Sequence, residues 1–180
     1  MRKIILVLMV IGLFGFAVAN IADAASTANI TVTVTCRVLG VTVSPTTWNI
    51  GLVETNSINL STAFTVTNTG NAQQDFQLNA ANSVGWTIGA TPGSEVFRMS
   101  AIFKDVAPVE SNFIANDDLT TSAVTATAAI FCIDADAAGV KGYDVVAAAT
   151  RNLWLRFQAP TSTTATAEQS ITVTITAIAG

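Results

Sequence analysis

The stretch Asn29-Ile30-Thr31-Val32-Thr33-Val34-Thr35-Cys36-Arg37-Val38 alternates apolar and polar residues without a break. Ile30, Val32, Val34, Cys36 and Val38 fall on one side, and Thr31, Thr33, Thr35 and Arg37 on the other. That is the pattern of a strand with one dry and one wet face; a helix would spread both sets around its circumference. A matching run ends the chain, where Ile171, Val173 and Ile175 oppose Thr172, Thr174 and Thr176 within Ser170 to Ala179. Sheet is therefore predicted at both ends.

Working inward, strands are predicted at residues 48–53, 58–67, 72–80, 96–103, 120–130 and 152–158. Asn68-Thr69-Gly70-Asn71 separates two of them, and Gly70 is expected to supply the positive φ of a tight reversal. Pro45, Pro92, Pro108 and Pro160 all fall in connections, as they should, because proline removes a ladder hydrogen bond. The β-branched residues Thr121, Val124, Thr125 and Thr127 argue against helix in the alanine-rich run that ends at Ala129, whereas residues 143–150 carry mixed propensity. No βα unit recurs. About eight strands in one domain point to an all-β, antiparallel β-sandwich, with a small closed barrel as the alternative. Its large core side chains are expected to be Phe64, Phe76, Trp86, Phe97, Phe103, Phe131, Leu153, Leu155 and Phe157, with Trp48 and Trp154 also assigned to the interior.

Arg2 and Lys3 precede an apolar run from Ile4 to Val18, followed by the small-residue frames Ala17-Val18-Ala19 and Ala22-Asp23-Ala24. This is the layout of a secretory signal peptide over residues 1–24, leaving a single domain at 25–180. Fifteen apolar residues in a helix span about 22 Å, short of a hydrocarbon core of about 30 Å, so stable membrane insertion after leader cleavage is not expected. The predicted location is secreted, extracellular or at the cell surface, with the periplasm as another exported site.

Removal of the leader leaves six basic against eleven acidic side chains, a net charge of −5. Such a chain has no basic stripe for nucleic acid and no attraction to anionic membranes. With no histidine in the sequence, Ser-His-Asp and Cys-His catalysis and His-containing zinc centres are excluded. No Gly-x-Ser-x-Gly elbow or phosphate-binding Gly-x-x-x-x-Gly-Lys-Ser/Thr loop is present, and the carboxylates show no spacing that identifies a glycosidase pair. No catalytic residue is assigned, and the chain is read as not an enzyme.

Cys36 and Cys132, the only two cysteines, are predicted to form a disulfide in an exported chain; two unpaired thiols are the alternative. Asp134-Ala135-Asp136 followed by Gly139 and Asp144 begins like a calcium loop. Ala138 and Val145 occupy two of its ligand positions, so the choices are an acidic solvent loop and a noncanonical calcium clip using Asp134, Asp136 and Asp144, with Asp117 or Asp118 brought nearby. No other cofactor is expected. Trp86, in a loop-like region, and Tyr143 are candidates for an aromatic platform against a glycan, against a structural role for Trp86 in the core.

Phe64-Thr65-Val66-Thr67-Asn68-Thr69-Gly70-Asn71 followed by Asp75-Phe76-Gln77-Leu78 resembles the strand-turn-strand core of bacterial extracellular immunoglobulin-like domains. The segments Leu153 to Pro160 and Ile171 to Ile175 resemble their terminal strands. The resemblance implies an immunoglobulin-like β-sandwich used for spacing, adhesion, carbohydrate contact or surface assembly. Thr35-Cys36-Arg37-Val38 with Trp48-Asn49-Ile50-Gly51 is similar, more faintly, to secreted pilin and spore-coat-like domains.

Threonine and serine fill outward strand positions where many domains place lysine and glutamate, which keeps β propensity while removing charge repulsion. The expected function is a noncatalytic structural or adhesive subunit that self-associates or joins other envelope proteins, building a surface layer or filament; a carbohydrate-binding module is the alternative. Ile30, Val32 and Val34 mark a possible assembly strand. Residues 29–38 either pair within their own sheet or are donated to a neighbouring subunit.

Overall fold

The computed structural model describes residues 28–132 and 141–180. The chain divides after Thr35 into two units. Among the described residues the second unit, 36–180, contains nine strands: β1 (Val41–Ser44), β2 (Ile58–Leu60), β3 (Phe64–Asn68), β4 (Gln74–Ala80), β5 (Thr87–Ile88), β6 (Val96–Phe103), β7 (Val124–Thr125), β8 (Thr150–Gln158) and β9 (Val173–Ala179). Two single-turn 3-10 helices, Glu110–Asn112 and Ala115–Asp117, lie between β6 and β7.

The strands form two sheets in a partly curled, sandwich-like arrangement. The larger has the order β1-β3-β8-β6-β5, with β2 also on β8; the smaller is β7-β4-β9. Pairing is antiparallel throughout except between β5 and β6. The long strands β6 and β8 alternate as a two-faced sheet requires. Phe97, Met99, Ala101 and Phe103 meet Leu153, Leu155 and Phe157 in the core, where Phe76, Leu78 and Ala80 of β4 pack against them. Eight of the nine expected core residues are buried; Trp86 is half-buried and stacks on Phe157 at 6.2 Å.

Several strand boundaries differ from the sequence expectation for identifiable reasons. The run 58–67 is split because Ser61 enters the ladder with its side chain: its N–H donates to the Leu155 carbonyl at 2.9 Å, and its hydroxyl accepts from the Leu155 N–H at 2.8 Å. Residues 48–53 form no strand, although Trp48, Ile50 and Val53 pack on the core. Only Val124–Thr125 of 120–130 is strand, since Thr127 and Ile130 close a tight reversal. Gly70 does not have positive φ. A side chain there would place Cβ 2.4 Å from the Val38 carbonyl oxygen, so close backbone approach is what requires glycine. Trp154 is not in the interior: it lies on the face of β8 opposite Leu153 and Leu155, where its indole N–H donates to the Lys104 carbonyl at 2.8 Å. All four prolines fall outside strands.

The first unit is described over residues 28–35. It contains no strand there, and Ile30, Val32 and Val34 are 89%, 77% and 78% exposed. The expectation that 29–38 is the first strand of its own sheet is therefore corrected. The pairing begins beyond Gly40, at Val41.

Candidate functional site

Among the described residues, β9 pairs only with β4, and its other edge carries no strand. The Ala81 N–H donates to the Thr172 carbonyl at 2.8 Å, and hydrogen-bonded residues alternate along an antiparallel ladder. Backbone groups of Thr172, Thr174, Thr176 and Ile178 thus point at β4. Those of Val173, Ile175, Ala177 and Ala179 point away from it. The β4 side of the ladder is consistent: Gln74, Phe76 and Ala80 donate to Val145, Gly142 and Thr120 on the far side from β9.

Protein sheets usually blunt such edges with lysine, proline, a bulge or short length. β9 uses none of these. It has seven residues and no charge or proline, whereas the edge strands β5 and β7 have two residues each and β1 is followed directly by Pro45. Ile171, Val173 and Ile175 pack on the core yet are only partly buried, unlike the fully covered Phe76 and Leu78 on the neighbouring strand.

Among the described residues, β1 is the corresponding edge strand of the larger sheet, and it approaches β9. The Thr69 N–H donates to the Gly40 carbonyl at 2.9 Å, which by the same alternation turns the backbone groups of Val41 and Val43 away from β3. Their side chains pack on the core and are also partly exposed. The two sheets consequently part along a neutral apolar seam flanked by Val41 and Val43 on one side and Ile171, Val173 and Ile175 on the other. Gln74, fully buried, ties the seam at one end: its amide donates to the Gly40 carbonyl at 2.7 Å and accepts from the Gly40 N–H at 3.2 Å. At the same end Asn71 donates to the Cys36 carbonyl, and Arg37 donates to the carbonyls of Gln73 and Gly180.

A second polar arrangement lies on the outer face of the larger sheet. Arg98, Ser100 and Arg156 project there, and the β6–β7 connection covers them. Asp118 accepts from Arg98 Nε and from the Ser100 hydroxyl, both at 2.7 Å. Arg156 is 6% exposed, with Glu110 3.6 Å away and its own Nε buried without a hydrogen-bond partner. Burial first, and the neighbouring Arg98 charge second, lower the affinity of Arg156 for its proton. A cavity of about 530 Å³ opens beside these residues, lined also by Val109, Ser111 and Phe113. Next to it the fully buried Asp117 accepts from the Ile114 N–H at 2.9 Å and the Phe131 N–H at 3.0 Å. Desolvation pushes its carboxyl up to about 6, against the pull of those two hydrogen bonds.

The aromatic residues predicted as a glycan platform are not brought together. Trp86 lies beyond the Ala80 end of β4, where its indole N–H donates to Thr163 Oγ1 at 2.9 Å. Tyr143 lies at the Gln74 end, with Lys141 Nζ 4.2 Å over its ring and the adjacent Asp144 N–H donating to Asp75. The length of β4 between them is about 20 Å. Asp134 and Asp136 lie outside the described residues. Asp144 is already engaged, accepting from the Gln73 side chain at 2.7 Å and pairing with Lys141 at 3.5 Å. Among the described residues no three acidic, cysteine or histidine side chains gather as a metal site. Cys36 is exposed, Cys132 is buried, and the two are not bonded to each other. Among the described residues no helix is long and apolar enough to cross a membrane.

Sequence reasoning singled out Ile30, Val32 and Val34 but missed the Val41 and Val43 flank of the seam; it considered Asp117 only as an added carboxylate for the calcium clip, and it assigned no role to Arg98 or Arg156. The signal for β1 was available in the renewed alternation Val41-Thr42-Val43-Ser44 after Gly40. No family model matches the chain, and no curated protein matches it.

Proposed function

We infer that this chain is a noncatalytic structural or adhesive subunit of the cell exterior that associates with copies of itself by β-strand addition. One observation carries the reading: Ile30, Val32 and Val34, spaced for one face of a strand, stand exposed at 77% or more, outside any sheet. An alternating apolar segment gains little from remaining in water and gains both hydrogen bonds and burial on completing a sheet. The leader over residues 1–24 accounts for delivery to the outside, and the uncharged threonine faces favour close packing between subunits.

Analytical ultracentrifugation and electron microscopy of the exported protein test the reading. The wild type is expected to form regular assemblies, and Val32→Asp to sediment as a monomer with unchanged circular dichroism. A wild type that stays monomeric at all accessible concentrations refutes it.

A further inference from the structure

We propose that residues 29–35 of one copy occupy the seam between β1 and β9 of a second copy, antiparallel to β9, with Val32 opposite Val173. This rests on the reading of the chain as a self-associating subunit and adds the acceptor, the direction and the register.

The register follows from matching three residues to three. Ile171, Val173 and Ile175 face the core at two-residue intervals and are partly uncovered. Ile30, Val32 and Val34 have the same spacing. The middle-to-middle pairing sets each of these three apolar residues beside one of the other three. A slip of one residue would turn all three incoming side chains to water and press Thr31 and Thr33 into the seam. In the proposed pairing Val34 meets Ile171, Val32 meets Val173, and Ile30 meets Ile175. The outward backbone groups of Val173 and Ile175 then receive a strand in hydrogen-bonding phase.

With the pairing taken as antiparallel, reach assigns the donor segment to a second copy. The Cys36 carbonyl is held by Asn71 and Arg37 by Gly180, so residues 36 and 37 start from the Gly180 end of β9. Ile171 is nine residues up the chain from Gly180, about 30 Å along an extended strand. A chain's own Val34, two residues from Cys36, reaches only about 7 Å. The antiparallel register is closed to the chain's own segment and open to another's. Residues 25–36 and 169–180 contain no charged side chain, so no side-chain charge repels across the joint in a molecule whose net charge after removal of the leader is −5.

One donor and one acceptor on different surfaces of each copy make a heterologous contact. Such contacts propagate head to tail, giving a filament unless the rotation happens to close a ring.

Thr33 and Thr172 become directly opposed on the wet face, at a non-hydrogen-bonded position where strands come closest and a disulfide fits. In a Cys36→Ser background, Thr33→Cys and Thr172→Cys chains mixed under mild oxidation are expected to yield a covalent heterodimer. The double variant is expected to yield a ladder of multiples on a non-reducing gel. Thr33→Cys mixed with Thr174→Cys, which a parallel strand would join, is expected to remain uncrosslinked. Both threonines are exposed, so folding should survive; circular dichroism matching the wild type verifies it. As a second measurement, Val32→Asp and Val173→Asp chains, each unable to polymerise, are expected to form a one-to-one dimer through their remaining intact donor and acceptor. Crosslinking within one chain, or through Thr174 instead of Thr172, overturns the proposal. Assemblies that form but never crosslink at Thr172 overturn this acceptor and leave self-association standing, whereas a monomeric wild type overturns both.

Discussion

Asp117 is a fully buried carboxyl whose charge the fold opposes, and its replacement by asparagine makes the cost measurable. Its carboxyl is raised from 3.8 to about 6 because burial disfavours the anion more than the Ile114 and Phe131 N–H groups favour it. Between those values the folded chain binds a proton that the unfolded chain has released. Stability is therefore full below about pH 4, falls as pH rises through about 6, and levels off near neutrality. A shift of about two pH units at about 1.4 kcal/mol each corresponds to a loss of about 3 kcal/mol by pH 7. The amide that Asp117→Asn introduces cannot ionise. It offers one acceptor fewer, since its NH2 must face either Ile114 or Phe131, costing about 1–2 kcal/mol at every pH. Urea denaturation of both proteins at pH 4, 5, 6 and 7 gives the difference curve, in which other titrating groups largely cancel. Asp117→Asn is expected to be the less stable protein at pH 4 and to gain about 3 kcal/mol on the wild type by pH 7. Parallel curves would refute the argument that desolvation dominates at this site.

Three further perturbations test the scaffold. Gln74→Leu removes the clamp on Gly40 and leaves its N–H without that acceptor; a loss of about 1–2 kcal/mol in urea denaturation is expected. Gly142→Ala sets a Cβ 2.2 Å from the Phe103 ring and 3.0 Å from the Ala126 Cβ, and the resulting overpacking should cost about 1–3 kcal/mol by the same assay. Glu95 accepts from the Thr163 hydroxyl at 2.7 Å and from the Thr164 hydroxyl at 2.8 Å and backbone N–H; Glu95→Ala should red-shift Trp86 fluorescence and admit protease within residues 161–169. Those hydrogen bonds, the Thr163 one foremost, hold the Glu95 carboxyl below its usual 4.5. The difference between wild type and Glu95→Ala is accordingly present above that pH and fades as pH falls through the lower folded value.

The strands that could be read from sequence are those whose two faces meet different surroundings. Phe97 to Phe103 and Leu153 to Phe157 each carry a continuous apolar set on the core face, and β4 and β9 repeat the pattern on the second sheet. Alternation in residues 29–38 led to the expectation of a strand, which the described residues do not form. It held no information on whether a partner exists in the same chain, because hydrogen-bonding partners distant in sequence leave no local trace. The split at Ser61 was hidden for a related reason: a serine hydroxyl substituting for a backbone group depends on where Leu155 arrives. Nothing in the local sequence marked Asp117 or Arg156 as buried. Their burial arises from the β6–β7 connection folding against the outer face of the sheet, a tertiary event that the isolated stretch Val109 to Leu119 does not announce.

Residue-resolved hydrogen exchange on β9 tests strand addition most directly. In the monomer the amides of Val173, Ile175 and Ala177 are expected to exchange quickly while those of Thr174 and Thr176, directed at β4, stay protected. On assembly Val173 and Ile175 are expected to slow together with Ile30, Val32 and Val34. Protection of Val173 and Ile175 already present in the monomer, or unchanged exchange at both segments on assembly, would contradict the account.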